Sequence, residues 1–186
     1  FEHNNINQPN RNRLLWRDKS VDGLKTGKTD AAGYCLVASA KRRDMRLISV
    51  ILGAKSDEVR AQESQRLLSY GFRYFDTQTV YAAGEILKSN AKLWYGVDEF
   101  LNLTISENVT LTFPRGSEKN FQANILVHEV IKAPIKAGQE LGSLQVKLDG
   151  NILIDVPLVA KKDVEKAGIF ARLVDWIILF FTDLLS

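Results

Sequence analysis

The sequence predicts an α+β chain: an antiparallel sheet with a helix packed on it, then a small all-β sandwich, then a C-terminal amphipathic helix. Three observations lead there. Two apolar runs, Tyr34–Ala40 and Arg46–Leu52, flank the charged turn Lys41-Arg42-Arg43-Asp44, which reads as an antiparallel hairpin. Beyond residue 76 apolar residues recur at every second position, the period of half-buried strands. The end of the chain, 163–186, carries apolar residues at helical spacing.

The first part spans 1–75. Phe1 to Asn12 is polar, Asn-rich and loop-like. Val21–Thr26 is a short strand, followed by the hairpin. A helix comes next. Ser56 is placed to cap its N-terminus, and Asp57 and Glu58 suit the positive end of its dipole. Val59, Leu67, Leu68 and Phe72 can form an apolar stripe, and Gly71 marks the fraying end.

The second part spans 76–160. Leu101, Leu103 and Ile105 alternate with Asn102 and Thr104, and Val109, Leu111 and Phe113 with Thr110 and Thr112. Leu144, Val146 and Leu148 alternate with Gln145 and Lys147, then Ile152, Ile154 and Val156 follow with Asp155. Asp149-Gly150-Asn151 between these last runs is a hairpin turn. Pro114, Gly116, Pro134, Gly138 and Gly142 punctuate the rest. No catalytic constellation stands out here; Asp and Glu fall on the polar faces of strands.

The third part, 161–186, is the terminal helix. Phe170, Leu173, Val174, Ile177, Phe181 and Leu184 fall on one side of a helical wheel. Arg172, Asp175, Thr182 and Asp183 fall on the other, which Leu179 interrupts and Trp176 borders. The run Trp176-Ile177-Ile178-Leu179-Phe180-Phe181 at a chain end would be a costly exposed patch in water. An in-plane membrane anchor is favoured over docking on a partner or burial in a core. Against it, four acidic and two basic residues give 163–186 a net −2, so binding would rest on apolar burial.

Composition narrows the function. A net charge of +3 with scattered basic residues gives no electrostatic case for a nucleic-acid partner. The single cysteine, Cys35, lies in the apolar stretch Gly33–Ala38 and reads as a small buried hydrophobe rather than a nucleophile. His3 and His128 are the only histidines, no Cys/His cluster has metal-ligand spacing, and no metal or other cofactor is expected. No run of 18 apolar residues could span a bilayer as a simple helix. The chain opens on Phe1 rather than Met and reads as a piece of a longer product.

The strongest local signal is Val21-Asp22-Gly23-Leu24-Lys25-Thr26-Gly27-Lys28-Thr29. A Lys-Thr-Gly triplet alone occurs by chance in on the order of a few per cent of chains this long. Its place, ending a strand before an apolar hairpin, raises its weight. A Lys-Thr-Gly strand forms one wall of the site in serine acyl-transferases that act on D-Ala-D-Ala or β-lactams. Lys25 would set positive charge beside a nucleophile and a substrate carboxylate. Thr26 can hydrogen-bond that carboxylate. Gly27 lacks a Cβ, so a substrate can lie along the strand edge. The backbone N–H of Lys28 could be an oxyanion donor, a role worth ~3–4 kcal/mol in the transition state.

These residues carry a resemblance that runs along nearly the whole chain. Ile6–Asn12, Leu14-Leu15-Trp16, Val21–Gly27, Ala32-Gly33-Tyr34 and Leu36–Ala40 resemble the D-alanyl-D-alanine carboxypeptidases of Gram-negative bacteria, penicillin-binding protein 5 and 6 type. Met45–Ser49, Arg60-x-x-Glu63-Ser64, Leu67-Leu68, Gly71-Phe72-Arg73, Pro114-Arg115-Gly116, Ala133-Pro134, Leu148-Asp149-Gly150 and Pro157-Leu158-Val159 continue it. The resemblance implies that 1–75 is the C-terminal part of a serine transpeptidase/β-lactamase-like domain. It implies an acyl-enzyme mechanism on peptidoglycan stem peptides ending in D-Ala-D-Ala, with β-lactams acylating the same serine. It points to Lys25, Thr26, Gly27 and Lys28 as substrate-binding, and to Arg60 for the substrate carboxylate, against a plain helix-surface role. Arg11 is a weaker candidate. It also implies a helical anchor, with Phe170, Leu173, Val174, Trp176, Ile177, Phe180, Phe181 and Leu184 meeting the membrane, and peripheral attachment at the periplasmic face of the bacterial inner membrane.

The chain departs from that family in two ways. Within 1–75, the part that resembles the catalytic domain, nothing matches its Ser-x-x-Lys or Ser-x-Asn motifs, so the nucleophile and its lysine are expected upstream of Phe1 and no catalytic residue within this chain. The chain by itself is then expected to be inactive. Lys28 stands where histidine is common. A non-enzymatic, membrane-associated module that binds cell wall or protein is the alternative; a β-lactamase, which would have neither the β-rich part nor the terminal helix, ranks below both.

Overall fold

A computed structural model of the chain describes residues 2–3 and 6–185. It is α+β and divides into two compact units. One comprises Phe1–Gln78 with Thr112–Gly116, the other Thr79–Leu111 with Ser117–Ser186.

In the first unit two short strands, β1 (Glu2–His3) and β2 (Ile6–Asn7), pair with each other, and a one-turn helix α1 (Leu14–Arg17) follows. Both lie in the stretch read as loop or left unread, because pieces this short leave no periodicity. The strands β3 (Val21–Thr29), β4 (Gly33–Arg42) and β5 (Met45–Ala54) form an antiparallel sheet in that order. The β4–β5 turn is Arg43-Asp44, with Arg43 at φ 54°. Helix α2 (Asp57–Tyr74) begins at Ser56, whose hydroxyl accepts from the Val59 N–H at 3.2 Å. It runs past Gly71 to Tyr74 rather than fraying there. Its buried stripe is Arg60, Ala61, Ser64, Leu68 and Phe72, while Leu67 faces out. Ala61, Leu68 and Phe72 join Leu14, Val21, Leu36, Ala38, Ala40 and Met45 in one core. A large apolar side chain buried there contributes about 1.5–3 kcal/mol.

The chain leaves this unit along β6 (Phe75–Tyr81), which pairs with β9 (Val109–Pro114). In the second unit lie β7 (Ile86–Trp94), β8 (Phe100–Thr104), β10 (Phe121–Val127), β11 (Ile131–Lys132), β12 (Glu140–Leu148) and β13 (Asn151–Ala160). They form a six-stranded sheet in the order β10-β12-β13-β8-β7-β11, antiparallel except where β11 runs parallel to β7. Val109, Leu111 and Phe113 are buried and Thr110 and Thr112 exposed, as alternation requires. Asp149 and Gly150 form the β12–β13 turn, both at positive φ. Ile152 departs from its expected inward place and is 53% exposed, beyond a shift of register between β12 and β13. Helix α3 (Ile169–Leu185) closes the chain.

Candidate functional site

Strand β3 has a pairing partner on one side only among the described residues, so its other edge is open along Lys25-Thr26-Gly27-Lys28. The register sets which way each side chain turns, because residues directly opposite in an antiparallel pair share a face. Thr26 lies opposite Leu36 and Lys28 opposite Tyr34, on the face covered by α2. Lys25 lies opposite Val37, and Val37 opposite Val50, on the other face. The triplet therefore divides between two faces of the sheet.

On the α2 side is a cleft of about 360 Å³ that brings together Arg11, Thr26, Gly27, Lys28 and Arg60 with Arg13, Tyr34 and Asp57. Lys25 does not line it; its ammonium donates to the Thr26 carbonyl at 2.6 Å. Four cations there face the single carboxylate of Asp57, a field suited to an anion.

Arg60 is only 4% exposed, which corrects the helix-surface reading. It is held by four hydrogen bonds. One nitrogen donates to the carbonyls of Gly27 and Cys35, each at 3.1 Å. The other donates to the Arg11 carbonyl at 3.3 Å and to the Asp57 carboxylate. A guanidinium has five N–H donors, so little of its fork is left for a bound carboxylate. Arg60 ties β3, β4 and the loop before α1 to the start of α2. Desolvating an arginine demands such partners, and backbone carbonyls supply them. Arg11 and Lys28 are both exposed and carry the cleft's available charge.

Tyr34 and Asp57 are participants that sequence reasoning missed. The Tyr34 ring holds the Lys28 ammonium 4.9 Å and the Arg60 guanidinium carbon 5.5 Å from its centre. Pairing Lys28 with Tyr34 across the hairpin would have exposed the first contact. Asp57, read as a helix-dipole residue, also pairs with Arg13. Beside it, Arg17 donates twice to Glu58 at 2.7 Å. Those bonds, followed by the Gln62 amide and the charges of Arg17 and Arg13, outweigh desolvation and pull the Glu58 carboxyl down to about 2. Asn12, 2% exposed, accepts from the Leu14 N–H at 3.1 Å and donates to the Gly23 carbonyl at 3.2 Å. It seats the cleft's other wall.

The anchor residues lie on α3. Phe170, Leu173, Val174, Trp176, Ile177, Phe180, Phe181 and Leu184 are all exposed, Phe170 the most at 87%. Asp175 and Leu179 are the least exposed of its described side chains. Among the described residues no helix is long and apolar enough to cross a membrane, and no acidic, His or Cys cluster could hold a metal.

Comparison with known proteins gives this geometry a family. Residues 1–56 match the family described as D-alanyl-D-alanine carboxypeptidase, and residues 75–166 match that described as penicillin-binding protein 5, C-terminal domain. The chain is 44% identical over 183 residues to D-alanyl-D-alanine carboxypeptidase DacC of Escherichia coli (strain K12), covering 97% of this chain and 46% of that protein. It is 40% identical to D-alanyl-D-alanine carboxypeptidase DacA of Haemophilus influenzae, covering 100% of this chain and 48% of that one. The crystal structure of penicillin-binding protein 5 from Haemophilus influenzae superposes with a TM-score of 0.81 at 37% identity, over 89% of this chain and 49% of that chain. The chain thus spans about half the length of the curated relatives it matches. Two adjoining family matches and relatives alike over almost all its residues lead to one conclusion: the chain belongs to the D-alanyl-D-alanine carboxypeptidase family, penicillin-binding protein 5 type.

Proposed function

We propose that the chain is the C-terminal portion of a serine-type D-Ala-D-Ala carboxypeptidase, which removes the terminal D-alanine of peptidoglycan stem peptides and is acylated by β-lactams. The observation that carries this reading is the cationic cleft beside the open edge of Lys25-Thr26-Gly27. The substrate peptide lies along that edge, where Gly27 lets its backbone approach. Thr26, Lys28 and Arg11 receive the terminal carboxylate. Arg60 is a positioning residue, fixing Gly27 and the Arg11 backbone. Lys25, on the opposite face, stands beside the nucleophile, a serine supplied from outside this chain. Its oxygen attacks the carbonyl of the penultimate residue and loses its proton to a neighbouring base. The developing oxyanion takes the backbone N–H of Lys28 as one donor. The C–N bond breaks, D-alanine leaves with a proton on its nitrogen, and water then hydrolyses the acyl-enzyme. The exposed apolar side chains of α3 lie in the membrane interface, which makes the protein peripheral at the periplasmic face of the inner membrane.

The test is to label the full-length gene product with a reporter penicillin and map the adduct by peptide mass spectrometry. An adduct on a serine in a Ser-x-x-Lys context outside these residues supports the reading. A folded full-length protein that takes no label would sink it and favour a non-enzymatic wall- or protein-binding module.

A further inference from the structure

Where α3 leaves the β-rich unit there is an open cleft of about 470 Å³ with a distinctive lining. Three cations border it: Lys132 from β11, Lys166 from the segment before α3, and Arg172 from the first turn of α3. Ile169, Leu173 and Trp176 supply an apolar side. All three cations are exposed, and none has an ion-pair partner among the described residues. Their backbones are fixed. Lys132 pairs with Trp94 across β11 and β7, Lys166 forms a bridge with Gly96, and the Arg172 N–H bonds the Gly168 carbonyl at 3.1 Å. Like charges that border one cleft from three fixed points of backbone repel one another, and an anion between them relieves that repulsion.

Three of the four acidic residues of this segment are engaged by other partners, Glu165 with Lys136 at 3.9 Å. The Asp175 carboxylate accepts from the Tyr95 N–H at 2.6 Å. The Asp163 carboxylate accepts from the Ala137 N–H at 2.7 Å and pairs with Lys136 at 3.3 Å. That backbone bond, followed by the lysine, holds the Asp163 carboxyl below its ordinary range against a desolvation penalty. The cleft is thus left positive although the segment is acidic overall.

We propose that this cleft binds the phosphate of an anionic phospholipid headgroup through Lys132, Lys166 and Arg172, with Ile169, Leu173 and Trp176 against the start of the acyl chains. The proposal rests on the membrane reading of α3 and deepens it. Charge complementarity favours the phosphate. The apolar side favours a lipid over a free anion, because it continues without a break into the exposed face of α3. Trp176 suits the headgroup level, where an indole's apolar body and polar N–H are both satisfied.

The test uses the full-length product and sedimentation with two kinds of vesicle, phosphatidylcholine alone and phosphatidylcholine mixed with phosphatidylglycerol. The wild type is expected to bind both, and the mixed vesicles far more tightly. The triple variant K132Q/K166Q/R172Q is expected to lose about 100-fold in partitioning to the mixed vesicles, as three basic residues at an anionic surface imply, and to bind phosphatidylcholine as before. Neutralising Lys88, Lys119 and Lys161, which lie outside the cleft, is expected to cost less than about threefold, and K132R/K166R/R172K to keep the preference. Equal losses for the two neutralised triples would reduce the effect to diffuse attraction and overturn the site. Equal affinity of the wild type for both vesicles would also overturn it, while leaving the membrane reading standing. Binding to neither would overturn the membrane reading itself. Release from the mixed vesicles by soluble glycerol phosphate would assign the cleft to a free anion and overturn the lipid.

Discussion

Arg60 and Glu58 stand two positions apart on α2 with opposite demands. Arg60 is buried, so its charge must be met at close range by the carbonyls of Gly27, Cys35 and Arg11 and by Asp57. Replacing it with Ala leaves those acceptors unmet. We expect Arg60→Ala to cost the first unit about 2–3 kcal/mol, the scale of hydrogen bonds to a charged group. Denaturant titration of the full-length protein, followed by a probe in this unit, measures it. Arg60→Lys should recover only part of the loss, because a point charge cannot span four acceptors on two strands, a loop and a helix. Glu58 is exposed to water and ion-paired. Its folded pKa, about 2, lies below the ordinary 4.5, so its contribution is present above pH 4.5 and lost as pH falls towards about 2. Glu58→Gln should flatten the pH dependence of the unfolding midpoint in that window. An unchanged slope in the variant would show that the Arg17 pair is not coupled to folding. Sequence named Arg60 as a site residue but not its duty. Its three carbonyl partners lie 25 to 49 positions away, beyond the reach of local pattern.

At the scale of elements, legibility tracked contrast. The β4–β5 hairpin, the Ser56 cap and the β12–β13 turn were plain, because a charged turn, a capping hydroxyl and an Asp-Gly pair are local devices. Strand β10 was not, for although Phe121, Ala123 and Ile125 alternate with Gln122 and Asn124, the run is short and neither set is buried. What holds β10 is its pairing with β12, through seven partnered residues from Phe121↔Leu148 to Val127↔Gly142. Gly142 is the tight point of that ladder. A Cβ there would strike the Leu126 carbonyl oxygen and stand 2.9 Å from the Val127 Cα, both backbone atoms that no rotamer change can move. Gly142→Ala should therefore destabilise the β-rich unit by about 2–3 kcal/mol, the upper range of overpacking costs. Thermal unfolding of the variant measures it, and a shift no larger than that of an exposed control such as Gly168→Ala would refute the crowding, because a Cβ at Gly168 meets nothing.

For the whole molecule, the alternating period and the terminal apolar helix pointed to the fold class, and the motifs that carry the resemblance, Lys25-Thr26-Gly27 among them, pointed to the family. Those features are local or periodic, and one-dimensional order preserves them. The surfaces of each unit needed the tertiary structure. In the first unit β5 leaves Ile48, Val50 and Leu52 exposed on the sheet face that carries Lys25. This matches a chain spanning about half the length of its relatives. We expect this chain alone to take no penicillin label while the full-length product does, since Lys25 then has a nucleophile to face; labelled gel bands of the two, side by side, decide it. In the second unit the tertiary structure decided how the terminal helix is turned. The wheel assigns Asp175 and Leu179 to its polar side, one as expected and one as a fault. Packing makes sense of both, for Asp175 bonds the Tyr95 backbone and the two are the least exposed described side chains of the helix. Period and motif, which depend on neighbours along the chain, were determined by sequence alone. The face each side chain shows, the partners that consume Arg60, and the convergence of Lys132 with Lys166 and Arg172 depend on residues brought together from distant positions. Only the closed backbone decides which charges meet and which are left for a ligand.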